Sequence, residues 1–137
     1  MSASNHNNIT NNHILMRSMM IFVGISGCFS VLFGAWLAHG GQSLASNVQS
    51  SLSTALQYQL FHTITLLVCL VWAKIKPPSK PVIIACICFL LGILCFSCTI
   101  YIKLIFEVPL LGKLTPIGGM SFALAWLMLA LEGKNNL

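Results

Sequence analysis

Polar residues interrupt the apolar stretches of this 137-residue chain, and their types are those that bind small ligands or join helices. On a helix, Tyr58, His62 and Thr65 share one face. A histidine in an apolar stretch is a candidate site residue, although the same residue types also hydrogen-bond helices to one another. We favour this structural role. The candidate polar cluster comprises His39, Gln57, Tyr58, Gln59, His62, Ser97, Thr99, Tyr101 and Thr115.

The cysteines and histidines suggest three further chemistries. Cys95 and Cys98 form a C-x-x-C pair, which is typical of thiol oxidoreductases, but a relay needs a second thiol pair with which to exchange. A soft-metal site from Cys69, Cys98 and His62 requires a convergence that no spacing here dictates. Haem ligation by His39 and His62 requires a shift between consecutive helices. We therefore predict no metal and no cofactor.

Acidic residues are too few for carboxylate catalysis. The chain has two, Glu107 and Glu132, and both lie outside the centres of the apolar stretches. This disfavours a proton-coupled exchanger and paired-carboxylate catalysis. A serine hydrolase built on Ser97 and His62 would also lack an orienting acid. We predict that the protein is not an enzyme.

The composition of the chain indicates the environment in which it folds. Hydrophobic residues make up 57% of the chain and charged residues 7%, with a mean hydropathy of +0.88. Apolar stretches of about 20 residues can cross about 30 Å of hydrocarbon. We predict an all-α integral membrane protein, an antiparallel bundle of four transmembrane helices. The predicted spans are about 19–38, 54–73, 81–103 and 116–131, within one domain over residues 16–134.

The segments outside the spans are short. Residues 1–15 are rich in asparagine and predict a disordered cytoplasmic tail. Residues 40–53 carry an apolar stripe, which predicts either a short interfacial helix or a helical connector running into span two; we favour the connector. Thr115 and Pro116 form a capping pattern for span four, which is predicted to end at Gly133.

Basic residues indicate the orientation and exclude one class of partner. Five of the seven fall on the side that holds both termini and the turn between spans two and three. That side is therefore predicted to be cytoplasmic. The basic residues form no dense run, so no nucleic-acid partner is expected.

Small residues mark predicted contacts between helices. In span one they share a face with Val31 and Ala35, and such residues let two helix backbones approach closely. The residues assigned to helix packing are Gly24, Gly27, Gly34, Ala38, Gly118 and Gly119.

Four motifs together resemble one known family. They are GAWLAHG at 34–40, QYQLFH at 57–62, FSCTIY at 96–101 and TPIGG at 115–119. In order and spacing they are similar to the small inner-membrane proteins of the YgdD type, also described as domain of unknown function 423 and related to the eukaryotic transmembrane protein 256. The resemblance covers residues 16–131. It implies four spans in a bacterial inner membrane and no established activity.

Departures from the family pattern affect the cysteine hypothesis. Leu37 stands where the family tends to have glycine. Cys98 and Thr99 stand where the family has the glycine and the second serine of a Phe-Ser-Gly-Ser stretch. Cys98 therefore looks like a substitution in a packing position, which weakens the C-x-x-C interpretation.

Two functional hypotheses remain from the sequence. The first is a non-enzymatic protein of the lipid bilayer, an accessory subunit of another membrane protein or a homo-oligomer. The alternative is a small-solute permeation or carrier protein, in which Gln57, Gln59, His62 and Tyr101 would line an outward-facing polar cavity.

Overall fold

The computed structural model describes residues 2–136, and the side chains of residues 13–108 and 110–134. Its described part contains helices and turns and no strand. The α-helices are α1 (Ser2–His39), α2 (Ser46–Ile75), α3 (Lys80–Gly92), α4 (Thr99–Ile105) and α5 (Thr115–Asn136).

Four helical segments are long and apolar enough to cross a membrane, as the sequence predicted. They are His13–His39, Ser46–Ile75, Lys80–Ile105 and Leu110–Lys134. Successive spans joined by short connectors run antiparallel. The end formed by residues 13–17, 74–81 and 132–134 is the lysine end. The opposite end, formed by residues 39–46 and 105–115, is the connector end.

The connector between the first two spans resolves one open alternative. A 3-10 turn (Gly41–Ser43) follows α1, and α2 begins at Ser46 and continues without a break to Ile75. The apolar stripe of residues 40–53 therefore runs into span two, and a separate interfacial helix is not formed.

The second connector corrects two predicted boundaries. A 3-10 helix (Pro109–Leu114) leads directly into α5, and Thr115 has helical dihedral angles, with its N–H bonded to the carbonyl oxygen of Gly112. Thr115 is thus the first helical residue of α5 rather than its N-cap. At the other end, α5 continues past Gly133 to Asn136, since glycine weakens a helix without forcing it to stop.

The predicted N-terminal tail stays untested. Helix α1 begins at Ser2, but the side chains of residues 1–12 lie outside the described part of the chain. Disorder of residues 1–15 therefore remains a prediction.

A π-helical segment, Ile93–Cys98, joins α3 to α4 inside span three. It widens the helix beside Gly118 of span four. A Cβ atom added to Gly118 would lie 2.7 Å from the carbonyl carbon of Cys95 and closer still to the backbone nitrogen of Phe96. Such short distances require glycine, and the π-helical segment and α5 consequently meet backbone to backbone.

Apolar packing is concentrated toward the lysine end. Leu66, Leu70, Phe89, Phe122 and Ala125 belong to one buried cluster that joins α1, α2, α3 and α5. A smaller cluster, Leu37, Leu52, Ala55 and Tyr101, lies toward the connector end. Spans one and four bury less of their surface within the molecule than spans two and three. They form the periphery of the bundle.

Candidate functional site

A chain of buried hydrogen bonds crosses three spans at Gln59. Its side-chain oxygen accepts a hydrogen bond from the Tyr101 hydroxyl at 2.8 Å. Its nitrogen donates to the Ser26 hydroxyl at 3.0 Å and to the Ser26 carbonyl oxygen at 3.3 Å. The Ser26 hydroxyl also lies 2.7 Å from the Thr63 hydroxyl. The amide of Gln59 is therefore satisfied at both ends, and this network joins α1, α2 and α4.

Two shorter links hold the π-helical segment in place. Ser97 is fully buried and donates its hydroxyl hydrogen to the carbonyl oxygen of Ala55 in α2 at 2.8 Å. The Thr99 hydroxyl donates to the carbonyl oxygens of Cys95 and Phe96 and lies 3.1 Å from the Thr115 hydroxyl. These hydroxyls connect span three to spans two and four.

His62 has a partner at each ring nitrogen. Nδ1 lies 2.7 Å from the carbonyl oxygen of Tyr58, and the Trp126 indole N–H points to Nε2 at 3.3 Å. Since a carbonyl oxygen and an indole N–H have fixed roles, Nδ1 donates and Nε2 accepts. The imidazole is therefore assigned as neutral, with its proton on Nδ1. The ring also stacks on Phe122, with centroids 3.6 Å apart.

A groove of about 510 Å³ lies beside His62, between α2 and α5. Tyr58, Phe61, Phe122 and Trp126 supply aromatic walls, and Gln57 is the other polar residue besides His62 and Tyr58. Its size falls within the range of ligand pockets, which is about 300–1,000 Å³. Gln57 and Tyr58 are exposed.

The structure divides the candidate polar cluster into separate groups. Gln59 and Tyr101 join the buried network; Ser97, Thr99 and Thr115 link helices around the π-helical segment; Gln57, Tyr58 and His62 line the groove. His39 is exposed at the C-terminal end of α1 and joins none of them.

Three residues in these groups were missed from the sequence: Ser26, Thr63 and Trp126. Ser26 and Ser30 are four residues apart in span one, and Ser30 donates to the carbonyl oxygen of Ser26. That spacing was a usable signal, because two serines on one helical face of a span commonly mark a contact with a neighbouring helix. Nothing in the sequence near Trp126 indicated that its indole would reach His62.

The described side chains contain no group of three or more potential metal ligands. Soft-metal binding by Cys69, Cys98 and His62 and haem ligation by His39 and His62 both need a free nitrogen on His62. Its acceptor nitrogen already receives the indole of Trp126. The thiols of Cys69 and Cys86 interact with each other instead, across α2 and α3.

The predicted packing glycines differ in what they meet. A Cβ atom at Gly118 would clash with the π-helical segment, and one at Gly119 would lie 3.9 Å from the Phe96 ring. At Gly34 the Leu56 side chain would be 3.3 Å away. Gly24 and Gly27 have nothing within 4 Å of such an atom, and Ala38 is exposed. The small-residue face of α1 is therefore largely unoccupied within the molecule.

At the lysine end, a serine and a carboxylate join the second turn to span four. Ser79 caps α3 by accepting from the Val82 N–H, and its hydroxyl donates to Oε2 of Glu132. Glu132 is buried despite its charge-bearing carboxyl group. It thus serves as a link between α3 and α5.

Comparison with known proteins places the chain among membrane proteins. The family model described as protein of unknown function (DUF423) matches residues 33–119. A UPF0382 membrane protein of Haemophilus influenzae is 37% identical over 118 residues, covering 85% of this chain and 93% of the relative. The UPF0382 inner membrane protein YgdD of Escherichia coli K12 is 32% identical over 114 residues, covering 82% and 86%.

A third relative matches with similar coverage. The UPF0382 membrane protein YwdK of Bacillus subtilis is 28% identical over 123 residues, covering 89% of this chain and 100% of the relative. No solved structure matches the chain.

Proposed function

Since the chain belongs to the DUF423 family of membrane proteins, we propose a function that its own helices support. The protein is non-enzymatic and assembles with other membrane helices through α1. The partner is a second copy of the chain or, where the protein acts as an accessory subunit, a different membrane protein.

The observation that carries this proposal is the unoccupied small-residue face of α1. Gly24 and Gly27 would have nothing within 4 Å of an added Cβ atom, and Val31, one turn on, is 71% exposed. The side of α1 that packs on α2 carries Ser26, which bonds to Thr63; of the small residues, Gly34 also approaches α2, at Leu56. Small residues allow helix backbones to approach within a membrane, where van der Waals contact drives association.

The polar residues support a non-enzymatic role. Gln59 and Tyr101 are bonded to each other, Ser97 is bonded to Ala55, and both nitrogens of His62 have partners within the molecule. A catalytic group must reach a reacting atom within hydrogen-bond distance. These groups instead hold the four spans at fixed positions.

Cys28 provides a direct test of the proposal. It is exposed and lies one turn after Gly24 on the same side of α1, so two chains paired through this face bring their Cys28 thiols into range of a disulfide. Mild oxidation of native membranes should give a disulfide-linked dimer, or a disulfide with another membrane protein in the accessory form. Mass spectrometry of the peptide that contains Cys28 identifies which partner is attached.

Matched variants separate pairing from chance collision. Cys28→Ala should abolish the linked species, and Gly27→Leu should reduce it severalfold by filling the face. Gly133→Leu adds the same side chain at a position that is equally open but lies at the far end of α5. The proposal fails if native membranes give only monomer, or if Gly27→Leu links as well as Gly133→Leu.

We further propose that both termini lie in the cytoplasm and that the membrane is a bacterial inner membrane. Arg17, Lys74, Lys76, Lys80 and Lys134 fall at the lysine end, against Lys103 and Lys113 at the connector end. Excess positive charge favours the cytoplasmic side. An alkaline phosphatase fused after residue 137 should be inactive; an active fusion there, with an inactive fusion at Ser43, would reverse the orientation.

A small-solute carrier is the second candidate, and the groove beside His62 is the observation that favours it. Of the four expected lining residues, Gln57 and His62 line this groove, whereas Gln59 and Tyr101 belong to the buried network. Reconstituted vesicles test it directly. Uptake of a small polar solute that His62→Ala abolishes would support a carrier, and vesicles as tight as protein-free controls would eliminate it.

A further inference from the structure

A second groove lies between α1 and α2 at the lysine end. It has a volume of about 530 Å³ and is lined by both polar and apolar side chains. His13, Arg17 and Lys74 are the residues that can carry positive charge, and Met16, Met20 and Leu70 are among the apolar ones. None of these residues belongs to the hydrogen-bond network or to the groove beside His62.

The groove is positively charged. Arg17 and Lys74 come from different helices and line the same space. Of the chain's two carboxylic side chains, Glu107 lies in the connector at the opposite end, and Glu132 accepts a hydrogen bond from Ser79. Neither carboxylate lines the groove. Its charge is therefore complementary to an anion from outside the chain.

The lining deeper in the membrane than Arg17 and Lys74 is apolar, whereas Met16 lies among the charged residues. Met20 is three residues farther along α1 than Arg17, and Leu70 is four residues nearer the middle of α2 than Lys74. At 1.5 Å per helical residue, the apolar floor lies about 5 Å deeper in the membrane than the charges. His13 lies one turn farther out than Arg17. A phospholipid has the same order of groups, with its polar head outermost, then its phosphate, then its acyl chains.

We propose that this groove binds an anionic phospholipid. The Arg17 guanidinium forms paired hydrogen bonds with the phosphodiester oxygens, and the Lys74 ammonium adds a second charge from α2. Met20 and Leu70 pack against the first methylenes of an acyl chain, and His13 meets the polar head. Basic pockets between spans are known to hold anionic headgroups. The bound lipid would fasten α1 to α2 at the end where the Gln59 network does not reach.

Native mass spectrometry of the full chain, released from mild detergent, tests this assignment. The probes are phosphatidylglycerol and phosphatidylcholine with identical acyl chains. Phosphatidylglycerol should bind at a lower added concentration than phosphatidylcholine, and it should stay bound up to a higher collision voltage. Since each basic residue near an anionic lipid strengthens binding about fivefold, Arg17→Gln with Lys74→Gln should weaken phosphatidylglycerol binding about 30-fold.

The control variant removes the same charge elsewhere. Lys103→Gln with Lys113→Gln lowers net charge equally at the connector end and should leave phosphatidylglycerol binding within about twofold of wild type. Arg17→Lys with Lys74→Arg keeps both charges and should retain most of the affinity, because the charge of the groove is unchanged.

Three results would overturn the proposal. The first is equal retention of the two lipids by the native chain. The second is equal loss of phosphatidylglycerol binding in the two glutamine variants. The third is displacement of the lipid by millimolar glycerol phosphate, which would mean that the groove recognises a free phosphate ester and not a lipid.

Discussion

Gly118 provides the sharpest test of how span four packs, because a matched control lies beside it. In Gly118→Ala the new Cβ atom would lie 2.7 Å from the Cys95 carbonyl carbon and closer still to the Phe96 nitrogen. Both neighbours are backbone atoms, so no side-chain rotation relieves the clash. In Gly119→Ala the nearest atom, in the Phe96 ring, is 3.9 Å away, which is ordinary contact.

The size of the effect follows from what has to move. Ordinary contact requires α5 and the π-helical segment to separate by about 1 Å. The segment is anchored to α2 by the bond from Ser97 to the Ala55 carbonyl oxygen, so α5 must move and loosen its packing on Phe89. Overpacking of this kind costs about 1–3 kcal/mol. Gly119→Ala should be neutral or gain up to about 1 kcal/mol from helix propensity.

The assay is equilibrium unfolding in mixed micelles with a rising fraction of sodium dodecyl sulfate. Circular dichroism and tryptophan fluorescence report the transition, and the free energy of unfolding is compared among the wild type and the two variants. The reasoning is refuted if Gly118→Ala unfolds at the same detergent fraction as Gly119→Ala. A destabilisation of both variants by the same amount would refute it too, since only one position is crowded.

Three further predictions use the same unfolding assay or a spectroscopic counterpart. In a double-mutant cycle, Gln59→Leu and Tyr101→Phe should show a coupling free energy of about 0.6–1.7 kcal/mol, because each variant removes one side of a hydrogen bond within the membrane. Additive effects of the two substitutions would contradict the network. Nitrogen NMR of the protein with labelled histidine should show His62 as a neutral imidazole with its proton on Nδ1. Trp126→Phe should shift the Nε2 resonance of His62 selectively, and a proton found on Nε2 would reverse the assignment. Ser79→Ala should lower the free energy of unfolding by about 1 kcal/mol, because α3 loses its cap. Ser79→Asp should not restore this stability, although aspartate caps helices well, because its carboxylate would face Glu132. Full recovery in Ser79→Asp would show that the link to Glu132 contributes nothing.

The number and class of the elements followed directly from the sequence. Four apolar stretches long enough to cross hydrocarbon can satisfy their backbone groups only as helices, so the spans were predictable. The boundaries were harder because connectors can also be helical. Residues 46–53 are more polar than the stretch that follows, and they form the first turns of α2, as the favoured connector predicted. Likewise, Pro109–Leu114 forms a 3-10 helix that continues into α5.

No pattern in the sequence predicted the π-helical segment. Ile93–Cys98 is as apolar as the α-helix before it. Its contacts explain its greater width, because Gly118 packs against the backbone at Phe96 and the Ser97 hydroxyl bonds to the carbonyl oxygen of Ala55. The packing role of glycines could be predicted from composition but not the partner of each. Gly118 meets another helix of the same chain, while Gly24 and Gly27 meet none, although all three were expected to pack.

The outcome for the polar cluster has a physical explanation that applies beyond individual residues. In hydrocarbon, a polar side chain must find a partner, and the nearest available partners are carbonyl oxygens and hydroxyls on adjacent helices. Gln59 spans the distance between Ser26 and Tyr101, whereas Gln57, two residues earlier on α2, faces outward and lines the groove. Neighbouring residues of the same type thus have opposite roles, set by the direction in which each leaves the helix. Polar residues in a four-span bundle therefore indicate function only where they face a groove. Between α2 and α5 these residues are Gln57, Tyr58 and the partnered His62, and at the lysine end they are His13, Arg17 and Lys74.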